Sequence, residues 1–376
     1  MKLCILGTFL AFLTANANGQ IYTGPQDPRI ETALTLDVPT NGVSTTPDGR
    51  LFLVLARVDG SKGAQVVEYN TTSKSMTPYP NEEWNSYSKG KDPATHLVRI
   101  NSQRVGPDGK LYLVDVGSPA FGEPVILPLG PKLVQVDPKT NKVSRVYHMG
   151  NSTLSNSLLD DVRFNPKTGF AYLTDAGEPG LIVLDLASGI SRRVLNTDVS
   201  TQGATPISAE GAYLLSASSG QFQYIYADQL EVSPDAKWFY FQPANGGLSR
   251  IETKCLDQAY YNSSLAGDQL ARYVEPFALT PSTGGTAIDA HGNIYVSDTD
   301  SQRIISVAPN GTKSVLVQDP RLLWVDAMWI AGTKLWMPAA QLNRGTPFGN
   351  GKSNVTKPLY AFTIDIGVGP SPIDHA

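Results

Sequence analysis

Cysteine is almost absent: the 376-residue chain has two, and Cys4 falls in an N-terminal stretch expected to be removed. Cys255 then has no partner for an internal bridge, which excludes a disulfide-stapled domain and leaves the fold to its core. Cys255 itself is expected as a buried apolar residue in a strand. Histidine is nearly as scarce, with four in the chain. His148 reads as a strand end, His291 as a turn and His375 as tail; only His96 lies near a blade entrance, as a candidate hydrogen-bond donor or acid. No G-x-S-x-G elbow accompanies it, so a Ser-His nucleophilic centre has no support. Charge is low, at 17% of residues with a net −4 and no basic runs, and nothing suggests a nucleic-acid surface. Beyond the N-terminus no apolar run approaches the ~18 residues of a membrane span.

The opening M-K-L-C-I-L-G-T-F-L-A-F-L-T-A-N-A places Lys2 before an apolar stretch from Leu3 to Leu13 and a small-x-small pattern at Ala15-Asn16-Ala17. Residues 1–17 read as a secretory signal peptide, with residues 18–376 as one domain of a secreted protein. Five sequons agree with that route, at Asn70, Asn151, Asn262, Asn310 and Asn354. Each falls in a predicted loop or turn, where a glycan projects into water.

What the chain has in abundance is one recurring turn. V-G-P-D-G-K-L-Y-L-V-D, from Val105 to Asp115, reads as a tight hairpin: Pro107 presets φ at the first corner, Gly109 accepts the left-handed geometry that closes it, and an alternating strand follows. Variants begin at Thr46, Asn165, Ser233, Asp289 and Ile330. Their marker residues, Pro47, Pro107, Pro166, Pro234, Ala290 and Ala331, are separated by 60, 59, 68, 56 and 41 positions. A period of this size with strand patterns throughout is the signature of a radial array of four-stranded sheets. The fold class is all-β, a six-bladed β-propeller.

The segment after Ile21 is expected to supply a strand to the last blade, because closing the ring with both termini removes free sheet edges. Blade six is expected to begin at Trp324, a short helix is expected within Asp257 to Leu270, and the tail from Gly367 reads as loose. Two irregular insertions, Pro78 to Thr95 and Gly117 to Gly130, are long enough to suggest function.

In a propeller the innermost strands converge on one axis. Counting six residues back from each marker gives Asn41, Asn101, Asp160, Asp228, Gly284 and Val325, with Asp161 and Asp326 one position later. Such a polar collar suits a ligand site at the axis; the same residue types also cap strand ends in any propeller. Trp84 and Tyr87 in the first insertion, Phe121 in the second, Tyr224 and Tyr226 before blade four, and Trp324 offer stacking surfaces for flat conjugated rings. Gln341, Asn343 and Arg344 follow the last strand and are placed to orient a carbonyl. Trp329 and Trp336 read as core.

Three blocks carry a family resemblance: L-Y-L-V-D-V-G from Leu111, T-D-A-G-E-P-G-L-I-V-L-D-L from Thr174 and W-V-D-A-M-W-I-A-G-T-K-L-W-M-P-A-A-Q-L-N-R from Trp324. Together they resemble the major royal jelly protein and Yellow family of secreted six-bladed propellers. The chain lacks the cysteines many insect members pair, and is similar in this to the microbial and fungal branch. The resemblance implies two functions, a hetero-Diels-Alderase joining a quinone methide to a terpene or a ligand-binding protein without turnover; the acidic collar adds a third reading, a metal-dependent lactonase-like hydrolase. A hard-cation site could draw on Asp160 or Asp161, Asp228 and Asp326 with Asn41 or Asn101. Lactonase-type propellers, however, carry a glutamate near the first inner strand, where this chain reads Pro39-Thr40-Asn41-Gly42. The expectation is therefore a small hydrophobic or aromatic ligand, with no metal or other cofactor and neither nucleic acid nor membrane as partner.

Overall fold

A computed structural model describes residues 21–374. The expected signal peptide with Cys4, and His375, lie outside the described residues. The chain is a six-bladed β-propeller, each blade a four-stranded antiparallel sheet. The innermost strands of the first five blades are Thr40–Thr45, Ile100–Val105, Leu159–Asn165, Ala227–Val232 and Thr286–Ile288. The sixth blade starts at Trp329–Ala331 and takes its outermost strand, Glu31–Leu36, from the beginning of the chain, antiparallel to Leu359–Asp365. This is the closure anticipated from the sequence, and it locks first blade to last.

The recurring turn works by its left-handed residue. Gly49, Gly109, Gly169, Gly292 and Gly332 occupy it with φ between 57° and 87°, and the fourth copy uses Ala236 at φ 64°. Asp108 also accepts the Lys110 backbone N–H, an Asx turn that fixes the corner. Strands leaving these turns place apolar side chains on both faces, because each blade is buried between two neighbours. Phe52, Val54 and Val66 of blade one meet Leu111, Leu113 and Val134 of blade two. Equivalent clusters join each further pair of neighbouring blades, the last uniting Leu34, Leu36 and Ala361 with Val43, Leu51 and Leu53 across the closure.

Three expectations are corrected. Cys255 is buried, but on a helix, Thr253–Tyr261, that begins ahead of the predicted helical segment. Cys255, Leu256 and Ala259 share the face of that helix packed between blades three and four, a helical spacing. Blade six does not begin at Trp324, because Trp324 has φ 48° and cannot continue a strand. The tail is not loose. Ser371, Ile373 and Asp374 are buried, and Arg104 donates from Nε to both Asp374 carboxylate oxygens at 2.9 Å. Nearby, Arg163 donates through Nε and Nη2 to Glu231 at 2.9 and 2.8 Å, and Thr286 adds its hydroxyl to the same carboxylate. One end of the hub is thus filled by paired charges. No described helix is long and apolar enough to cross a membrane.

Candidate functional site at the propeller mouth

The other end of the hub is open. A cavity of about 340 Å³ lies on the axis, and Asn41, Asn101, Asp160, Asp228, Gly284 and Asp326, one from each blade, form its floor. Local backbone geometry puts them there. The pairing between first and second strands slips between Thr40 and Gly42, Ile100 and Ser102, Leu159 and Val162, and Ala227 and Leu230. Each slip is a bulge that leaves the collar residue outside the ladder and turns its side chain toward the axis. In blade five the position is glycine because the last blade leans on it: a Cβ on Gly284 would stand 2.4 Å from the Val325 carbonyl oxygen.

The collar is bonded round the ring. Asn41 Nδ2 donates to the Asn101 carbonyl at 2.7 Å, and Asn101 Nδ2 donates to Asp160 Oδ1. The Asp160 carboxyl in turn donates to that of Asp228. Trp324 Nε1 donates to Asp326 Oδ2 at 2.9 Å, and the Ala327 N–H donates to Asp326 Oδ1 at 2.8 Å. Enclosure by the mouth walls costs these carboxylates their hydration, and they repel one another. Burial pushes Asp160 well above the usual carboxylate range, and the Asp228 charge adds to it. Burial lifts Asp228 to about 7 against the opposing bond from Asp160. Burial raises Asp326 likewise, with a further push from Asp160. Burial and mutual repulsion thus favour the protonated forms of these carboxyls, which can donate a hydrogen bond.

One side of the wall is apolar. Trp324, Phe348, Leu342, Ile225 and Phe121 reach the cavity from four loops, and they belong to one cluster distinct from the packing between blades. Phe121 and Phe348 have ring centroids 5.8 Å apart. The segment carrying Leu342 and Phe348 is fastened by Gln341, whose Nε2 donates to the Thr356 carbonyl at 3.0 Å while its Oε1 accepts the Thr356 N–H at 2.9 Å.

Of the residues singled out in the sequence, Asn41, Asn101, Phe121, Asp160, Asp228, Gly284, Trp324 and Asp326 meet at the cavity. Val325, also counted, is buried in the packing of blades five and six. Asp161 is turned beneath the floor, where it accepts from Arg163 Nη1 at 2.6 Å. Trp84 packs against the cluster of blades one and two, because Asn85 draws its loop down the blade edge by accepting the Gln65 and Val66 N–H groups. Tyr87, in the same loop, does not line the cavity. His96 is turned back on its own loop, with Nδ1 2.9 Å from the Asp92 carbonyl. Tyr226 uses its backbone N–H on Ala176 and is not among the lining residues. Asn343 and Arg344 both donate to Glu210. Gln341 fastens the rim and does not line the cavity. All five sequon asparagines are exposed. Arg57, Gln65, Arg99, Ile225, Leu342 and Phe348 line the cavity without having been singled out; Arg99, two positions before the bulged Asn101, was within reach of the same count.

Among the described residues no three His, Cys, Asp or Glu side chains are grouped to hold a metal ion. The floor carboxyls are taken up by hydrogen bonds, Asp160 from Asn101 and Asp326 from Trp324 and the Ala327 N–H.

The family model for major royal jelly protein matches residues 103–354. No curated protein matches the chain. Among solved structures, a luciferin-regenerating enzyme is similar with a TM-score of 0.55 and 14% identity, over 92% of this chain and 98% of that one. A gluconolactonase from Xanthomonas campestris has a TM-score of 0.52 and 12% identity, over 89% of each chain. The calcium-binding protein regucalcin from Agrobacterium tumefaciens has 0.51 and 12%, over 90% of this chain and 92% of that one. At such identities the likeness is one of fold alone.

Proposed function

The chain belongs to the major royal jelly protein family, and from that footing we propose that it is a secreted, glycosylated enzyme of secondary metabolism. Its mouth holds a conjugated carbonyl compound against an unsaturated hydrocarbon for cycloaddition. The observation that carries this reading is the meeting of carboxyls pushed toward their protonated form with an aromatic wall in one cavity: Asp160 and Asp326 raised at the floor, Trp324, Phe121 and Phe348 above them. The scarcity of cysteine, in which the chain is similar to the fungal branch, supports the same choice.

In such a reaction the four-atom C=C–C=O unit of a quinone methide and the two carbons of an alkene close a six-membered ring. One C–C and one C–O bond form, and no atom leaves. A hydrogen bond donated by a floor carboxyl to the carbonyl oxygen draws electron density from the heterodiene and accommodates the charge that gathers on that oxygen. The apolar wall takes the hydrocarbon, and holding both partners in register can lower the barrier by up to about 7 to 11 kcal/mol in ideal intramolecular cases. No nucleophile is needed.

The test is incubation of the purified protein with an ortho-quinone methide released from a precursor and a humulene-like cyclic alkene. The account expects a faster, single-enantiomer adduct. A racemic adduct at the spontaneous rate, with the alkene recovered unchanged, reduces the protein to a ligand binder. Secretion and glycosylation are tested separately, by sequencing the mature N-terminus and by the mass lost on treatment with an N-glycosidase.

A further inference from the structure

Two arginines line the mouth cavity, and neither has a counter-ion among the described residues. Arg99 donates from Nε to the Ser118 carbonyl at 3.2 Å, and Arg57 donates from Nη1 to the Gly63 carbonyl at 2.8 Å. A guanidinium has five N–H donors, so most of theirs remain for another partner. None of the ion pairs among the described residues includes either side chain. Asp115, whose charge acts on Arg99, is already engaged: it accepts Lys132 Nζ at 2.6 Å and the Val98, Arg99 and Gly117 N–H groups. Burial lowers Arg99 to about 10, opposed by the charges of Asp115 and Asp160, and burial lowers Arg57 with nothing opposing it. These are desolvated cations in a protein of net charge −4.

Arg99 also stands where two cavities join. A second cavity of about 170 Å³ shares Arg99, Phe121, Leu158 and Ile225 with the first, and adds Asn156, Ser157, Gln223 and Tyr224 to its wall. Glu123 is the one carboxylate on that wall among the described residues, and it is exposed.

Resting on the reading of the mouth as the ligand site, we propose that its ligand is an organic anion: a conjugated ring compound bearing a carboxylate or an acidic enol. Arg99 and Arg57 bind the anionic oxygens, and the ring lies against Trp324 and Phe348. The paired oxygens of a carboxylate or a vinylogous acid match the fork of a guanidinium. The two guanidinium groups place cationic donors on the wall of the mouth in a protein of net charge −4. A cationic amine of the same shape would meet both arginines and lose affinity.

The test uses three indole probes of matched shape, indoleacetate, tryptamine and skatole, titrated calorimetrically into the full chain. The anion is expected to bind at least about tenfold more tightly than the amine, the equivalent of one charge-assisted hydrogen bond, with the neutral skatole between. Arg99→Gln and Arg57→Gln are each expected to remove most of that preference while leaving skatole affinity within about twofold, and Arg99→Lys to restore part of it. Should a glutamine variant fail to fold, the ranking by the wild-type protein and its weakening with added salt decide the matter. Equal affinities, or preference for tryptamine, overturn the proposal while leaving the mouth as a ligand site. Failure of all three probes to bind overturns both.

Discussion

Trp324 reaches the Asp326 carboxylate with its indole N–H at 2.9 Å from a backbone held at φ 48°. A bulky residue in the left-handed region costs about 1 to 3 kcal/mol, and here the strained residue forms both a wall of the cavity and a ligand to its floor. Trp324→Phe keeps the wall and removes the donor. Asp326, deprived of a bond that lowers its pKa, is expected to titrate higher still. Calorimetry with juglone, a hydroxynaphthoquinone, should show affinity reduced about tenfold, as for loss of one ordered polar contact.

The floor carboxyls make stability depend on pH with a definite sign. Asp228 ionises at about 7 in the folded chain and near 3.9 when unfolded, so the native state binds more protons between those values. Stability is retained below about pH 4 and falls as pH rises toward about 7. Asp160 and Asp326 act in the same direction. Asp228→Asn removes the ionisation, and urea denaturation should show a gain on the order of 2 to 4 kcal/mol at pH 8 that vanishes at pH 4.

At the closed end of the hub, Asp374 receives the Arg104 guanidinium with both side chains buried, and Arg104 also lies over the Trp329 ring, 5.2 Å from its centroid. Asp374→Asn leaves a buried cation without its charge partner and is expected to cost about 3 to 5 kcal/mol in urea denaturation. Replacing both partners by apolar residues of similar volume should recover much of that loss.

Gly284 tests the packing that shapes the collar. Its missing side chain admits the Val325 carbonyl and the Trp324 ring, so Gly284→Ala should lower stability by about 1 to 3 kcal/mol. Displacement of Trp324 should also weaken juglone binding, which a Gly→Ala change remote from the mouth would not do.

The architecture was legible because it is written in local chemistry. Pro47-Asp48-Gly49 and Pro107-Asp108-Gly109 spell the corner in full and the other copies keep part of it, and Gly49, Gly109, Gly169 and Gly292 adopt the left-handed φ the corner requires. Since each corner ends an innermost strand, counting back from it reaches Asn41, Asn101, Asp160, Asp228 and Gly284 at the mouth. The count lost register in blade six, where left-handed Trp324 interrupts the chain and Asp326 stands at the floor in place of Val325. It could not rank Asp160 above Asp161, because which side chain faces the axis depends on how the bulge between Leu159 and Val162 is taken up. Loop residues were harder still. Trp84 and Phe121 look alike as aromatics in long insertions, yet Asn85 ties one loop to the flank of its blade while the other folds over the mouth beside Phe348. The tail gave no signal because its anchors lie far back in the chain: Asp374 meets Arg104 and Arg163, and the Ser371 N–H bonds the Ile288 carbonyl.

The most direct test of the mouth as the working site is a crystal structure of the protein soaked with juglone. The account predicts the ring beside Trp324 and Phe348, with a carbonyl oxygen within hydrogen-bond distance of the Asp160 or Asp326 carboxyl. Juglone bound only elsewhere, or in the mouth with its oxygens turned away from the collar, would contradict it.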